Sequence, residues 1–146
     1  MKKRFLYLIL PIITLILEIL PYGAVCNFMR PPSEVNPDAP VGHFRELYSY
    51  FDLTPFGYAN FAPLLTAILT CAILIMLLIY LFTGQHGIAS ATKVMVGIGM
   101  PLSLCPLLFG IRFFSVVGAL ITTSLVAQFV LMQLTIKKSQ LKPHKF

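Results

Sequence analysis

The chain has 146 residues, 58% of them hydrophobic and only 11% charged, with eleven basic and five acidic side chains. Soluble domains carry about one quarter charged residues. At a mean hydropathy of +0.85 this composition reads as an integral membrane protein, with no length left for a soluble catalytic domain beside the spans. The net charge of +6 does not describe a nucleic-acid face, because the cations cluster at Lys2, Lys3 and Arg4 and at Lys137, Lys138, Lys142 and Lys145, flanking apolar runs. There they serve as topology signals and contacts to anionic lipid heads.

A span needs about 20 apolar residues, within a range of about 17 to 25. Four runs meet that requirement: 5–26, 61–82, 94–110 and 113–136. The first contains "LILPIITLILEILPYGAVC" and carries a carboxylate, Glu18, between Pro11 and Pro21. A basic start before an apolar run also fits a signal peptide, and "GAVC" fits a lipoprotein cleavage site. Val25 directly before the cysteine, the acid and the two prolines favour a retained span.

The outer loop, residues 27–60, divides in two. The proline-rich "RPPSEVNPDAP" is expected to be extended and irregular. In "GHFRELYSYFDL", Phe44, Leu47, Tyr48 and Phe51 recur at i, i+3, i+4 and i+7, which predicts a short amphipathic helix over 43–53 lying along the interface. Phe56, Tyr58 and Phe61 stand where an aromatic belt anchors a span, and Pro63 suits the first turn of the second helix.

On the other side, "TGQHGIASATK" offers Gly84 and Gly87 as helix terminators and Ser90 and Thr92 as caps. The third run concentrates Gly97, Gly99, Pro101 and Pro106. Its prolines are expected to free the carbonyls of Gly97 and Leu102, as a hinge or cation contact, or else to form a static kink with close glycine packing. The turn near "GIRF" is short enough to make spans three and four an antiparallel hairpin, and residues 137–146 read as a solvated tail. With four spans both termini share a side. Eight Lys and Arg lie on that side (Lys2, Lys3, Arg4, Lys93 and the four C-terminal lysines) and three (Arg30, Arg45, Arg112) on the other, which puts both ends in the cytoplasm.

A carboxylate inside a span costs several kcal/mol unless paired, protonated or hydrated, so Glu18 is the leading functional candidate. Nine residues in from Asn27, it lies about 13 Å deep along a helix. Similar depth counts reach Thr70, Ser103 and Thr122, with Gln128 one or two turns deeper. Thr14 and Pro11 share the Glu18 face at i−4 and i−7. These groups form a candidate ligand or proton site: Glu18, Thr14, Thr70, Ser103, Thr122 and Gln128, with Arg112 at the outer turn. The same residues also support a structural alternative, in which hydroxyls bond their own backbone and Arg112 clasps Glu18.

No catalytic, cofactor or metal residues are identified. His43, His86 and His144 are dispersed, the cysteines form no CxxC pair, and no phosphate loop or hydrolase motif occurs. A four-span chain with a first-helix carboxylate resembles the small multidrug resistance transporters, in which a first-helix glutamate is shared between protons and cationic drugs in a dimer. The resemblance makes Glu18 the matching residue. It covers one residue and the span count, and the chain has no tryptophan and a much longer first outer loop.

The sequence therefore leads to an all-α, four-helix antiparallel membrane bundle with a long outer loop, of bacterial cell-membrane type. The expected role is a non-enzymatic, partner-binding or assembly component in the lipid bilayer. The alternative is a small homo-oligomeric transporter or channel coupled through Glu18.

Overall fold

The computed structural model describes residues 2–30, 42–53 and 60–140. Its elements are α1 (Lys2–Ile19), β1 (Ala24–Arg30), β2 (Gly42–Tyr48), α2 (Ala62–Thr83), α3 (His86–Leu104) and α4 (Val116–Gln140), with two 3-10 turns, Cys105–Phe109 and Ile111–Phe113, between the last two helices. Among the described residues, three stretches are long and apolar enough to cross a membrane: Ala62–Thr83, His86–Phe109 and Val116–Leu134. In α1 the apolar part is shorter, Tyr7–Ile19.

The helices close a ring, with α1 on α2 and α4, and α3 on α2 and α4. Side-chain pairs reveal the directions. Glu18 near the end of α1 meets Thr70 in the first half of α2. Ser103 near the end of α3 meets Thr122 near the start of α4. Neighbours are therefore antiparallel, the arrangement short connections impose. At the α2–α3 end the core is apolar, built from Leu8, Ile73, Leu77, Tyr80, Leu81, Ala89, Val96 and Met132. At the opposite end a second cluster gathers Ala24, Tyr50, Ala67, Ile121 and Leu125.

Two expectations fail at that opposite end. The first span was expected to run from 5 to 26, but α1 stops at Ile19. Pro21 supplies no N–H and disfavours helical backbone at Leu20, so the chain turns through Pro21–Gly23 and enters a strand. The amphipathic helix expected over 43–53 is absent. Its first half is β2, paired antiparallel with β1 in a register that runs from Ala24↔Tyr48 to Arg30↔Gly42. Helices of about eleven residues are marginal alone, whereas Phe44 and Tyr48 alternate on one strand face and find partners across the ladder, with Phe44 stacked on Phe28 at 5.3 Å between centroids. Of the proposed aromatic belt, Phe56 and Tyr58 lie outside the described residues, as do most of the proline-rich segment and the tail beyond Gln140. Phe61 is exposed, just before α2.

The other end is closer to expectation. Gly84, at φ 65°, ends α2 and donates its N–H to the Tyr80 carbonyl, a left-handed cap that glycine adopts freely. Gly87, Ser90 and Thr92 are not caps, because α3 already begins at His86 and Thr92 bonds back to Ile88 O. The helix therefore starts well before the apolar run at Val94. It passes through Pro101 and tightens into 3-10 geometry at Cys105, whose N–H takes the Leu102 carbonyl that Pro106 would otherwise leave open.

Tyr50 ties the strand pair to the bundle. A Cβ at Gly23 would come within 2.7 Å of the Tyr50 ring, and one at Gly118 within 3.2 Å of its hydroxyl. Gly23→Ala should therefore cost about 1–3 kcal/mol by overpacking. Gly87→Ala, with nothing within 4 Å of the added methyl, should gain about 0.5–1 kcal/mol of helix propensity. Thermal unfolding in detergent should show melting shifts of opposite sign, and shifts of the same sign would contradict this packing.

Candidate functional site

Pro11, Thr14 and Glu18 recur at i, i+3 and i+7, and all three are buried on the face of α1 that looks into the bundle. Glu18 is 0% exposed. Its Oε1 accepts a hydrogen bond from Thr70 Oγ1 at 2.8 Å, while its Oε2 has no partner.

The backbone of Glu18 is as engaged as its side chain. Its carbonyl belongs to the last turn of α1, where intrahelical donors run out. Tyr50 N–H fills the gap at 2.9 Å and Ser49 Oγ at 3.0 Å. Ser49 is itself held in a local turn, with its N–H on Asp52 Oδ2 at 2.7 Å and its Oγ accepting Phe51 N–H. Burial, and after it the nearby Glu18 carboxylate, raise the Tyr50 phenol above its ordinary range and keep it neutral. On α4, Ser115 Oγ accepts Gly118 N–H as an N-terminal cap and donates to the Gly23 carbonyl.

The other candidate residues sort into pairs rather than one cluster. Thr14 bonds Ser124 at 2.7 Å and its own Leu10 carbonyl at 2.9 Å. Ser103 bonds Thr122 at 2.9 Å, and each also returns to its own helix, at Met100 O and Gly118 O. Such back-bonding satisfies hydroxyls without a ligand. Gln128 is buried on α4 with neither amide atom partnered. Arg112 does not clasp Glu18: it is exposed in the second 3-10 turn, where its carbonyl accepts the Asn27 side-chain amide at 3.4 Å. Among the described residues no three His, Cys, Asp or Glu side chains converge as a metal site.

Depth counting and helix spacing locate Glu18, Thr14 and Thr70. They miss Ser49, Tyr50, Gly23 and Ser115. "SYFD" carried a usable signal, since a serine followed three residues later by an aspartate is a common local-turn pattern. Comparison with family models, curated proteins and solved structures finds no match for the chain, so geometry carries the functional reading.

A double-mutant cycle tests the pairing. Thr14→Val and Ser124→Ala should couple by about 0.6–1.7 kcal/mol, the range for hydrogen bonds between membrane helices. Thr14→Val and Thr122→Val, which share no partner, should be additive. Additivity in the first pair would deny the contact.

Proposed function

We propose that the chain is a four-span cell-membrane protein with both termini in the cytoplasm, acting without enzymatic chemistry as a partner-binding or assembly component. The observation that carries this reading is the closure around Glu18. Glu18, the one carboxyl inside a helix among the described residues, is 0% exposed, and its hydrogen bonds come from Thr70, Ser49 and Tyr50 of the same chain. Glu18 lines neither of two cavities that flank the β1–β2 pair. A carboxyl that loads and releases an ion needs a path to water, whereas a structural one needs to be sealed.

Four spans are supported by the ring of helices, in which α1 packs on both α2 and α4. The apolar part of α1, Tyr7–Ile19, covers about 20 Å at 1.5 Å per residue, so packing rather than length carries the first span. The eight-to-three bias of Lys and Arg supports the cytoplasmic ends. A bundle this thin has little interior for a pathway, so its work falls to its surfaces, toward another membrane protein or a second copy.

A small homo-oligomeric transporter or channel is the second reading. It draws on two buried groups without partners, Glu18 Oε2 and the Gln128 amide.

Reporter fusions at residue 146 and within residues 33–40 should report opposite sides of the membrane. A cytoplasmic signal from the loop would overturn the topology. Cross-linking in native membranes should trap the chain in a complex larger than a monomer, and a monomer alone would count against an assembly role. In vesicles, wild type and Glu18→Gln should both lack proton-driven flux and unfold at similar temperatures. Flux in wild type that disappears in Glu18→Gln would transfer the assignment to the second reading.

A further inference from the structure

Strand alternation separates charge across the two faces of the β1–β2 pair. His43, Arg45 and Leu47 share one face with Val25, Asn27 and Met29, while Phe44, Glu46 and Tyr48 take the other. Glu46 is therefore turned away from His43 and Arg45, and it accepts a hydrogen bond from the Tyr48 hydroxyl. That bond pushes the Tyr48 phenol up to about 12. Asp52 is engaged by the Ser49 N–H, and Glu18 is sealed in the bundle. Among the described residues, no carboxylate is left to neutralise the His43–Arg45 face.

This face looks onto the start of α4 and the 3-10 turn before it, and two cavities of about 270 Å³ lie between them. One is lined by Arg45, Leu47, Tyr22, Ser115, Val116 and Val117. The other is lined by Arg112, His43, Asn27, Met29 and Phe113. The Arg45–Asn27 pair of the ladder divides them, and the Asn27 amide reaches the Arg112 carbonyl. Both guanidinium groups thus hang from residues tied to one asparagine. Each cavity sets one arginine against apolar side chains, and the rim is apolar and open, with Met29 72% and Val116 79% exposed. Guanidinium groups are suited to bidentate binding of phosphate oxygens. Cations set against apolar walls suit an anionic head with a hydrocarbon body.

We propose that the groove between the β1–β2 pair and the start of α4 binds the phosphate group of an anionic amphiphile at the Asn27 divide, with Arg45 reaching it from one cavity and Arg112 and His43 from the other. The site is independent of the assembly reading and of Glu18.

The test uses the purified full chain in a zwitterionic, phosphate-free detergent. It is titrated separately with short-chain phosphatidylglycerol, short-chain phosphatidylcholine and inorganic phosphate, with thermal stability and native mass spectrometry as readouts. Phosphatidylglycerol should bind saturably and raise the melting temperature, and phosphatidylcholine should bind at least tenfold more weakly. Arg45→Gln combined with Arg112→Gln should weaken phosphatidylglycerol binding at least tenfold without lowering the melting temperature of the unliganded protein, because both side chains are exposed. Lys93→Gln, remote from the groove and placed over the Phe129 ring, should leave binding unchanged and so separates local recognition from net charge. Inorganic phosphate saturating the same arginine-dependent site as tightly as the lipid would overturn the amphiphile assignment. Lipid binding that survives the double substitution, or falls equally with Lys93→Gln, or is absent in wild type, would overturn the site.

Discussion

A proline ends the first helix while its residues are still buried in the bundle, and the rest of the structure answers that constraint. With Pro21 stopping α1 at Ile19, the carbonyl of Glu18 loses its helical donor, since Tyr22 N–H turns instead to Leu20 O. An unsatisfied buried carbonyl costs about 1–3 kcal/mol, and more where no water is at hand. The chain supplies the missing donors from Ser49 and Tyr50, thirty-one and thirty-two residues further on. That return brings the β1–β2 pair down onto the bundle. It seats Tyr50 between Gly23 and Gly118 and thereby fixes where α4 begins.

Glu18 belongs to the same solution. Its side chain, on the inward face of α1, joins that helix to α2 through Thr70, while Thr14 one turn earlier joins it to α4 through Ser124. In lipid, helix association gains little from apolar burial, and packing and interhelical hydrogen bonds carry more of the stability. Two polar contacts from one helix to two different neighbours close the ring. The α2–α3 end of the bundle packs mainly through apolar residues such as Leu77, Val96 and Met132.

Helix positions were largely legible because hydropathy reports them directly, and the inward face of α1 was legible from the spacing of Pro11, Thr14 and Glu18. Thr70 was found by depth alone, since antiparallel neighbours of equal length place equal depths side by side. The strand pair was hidden for two reasons. The start of β1, Ala24 to Cys26, is apolar enough to be absorbed into the first span, and the rest was read as loop, which removed β2's partner from view. Phe44, Leu47, Tyr48 and Phe51 also match one helical face by chance, although Phe44 and Tyr48 equally satisfy a two-residue alternation. The start of α3 was hidden because "HGIASA" is helical but polar, so a hydropathy criterion begins the element at Val94 rather than His86. The groove with His43, Arg45 and Arg112 depended on the missed strands and was invisible without them.

The central claim is that Glu18 is a sealed structural carboxyl, and its chemical accessibility tests it most directly. A hydrophobic carbodiimide forms a stable adduct at carboxyl groups reachable from lipid or from a hydrated pathway. Mass spectrometry of the treated chain should find Glu18 unmodified in folded protein in vesicles and modified after denaturation in detergent. Stoichiometric modification of Glu18 in the folded protein would contradict the account.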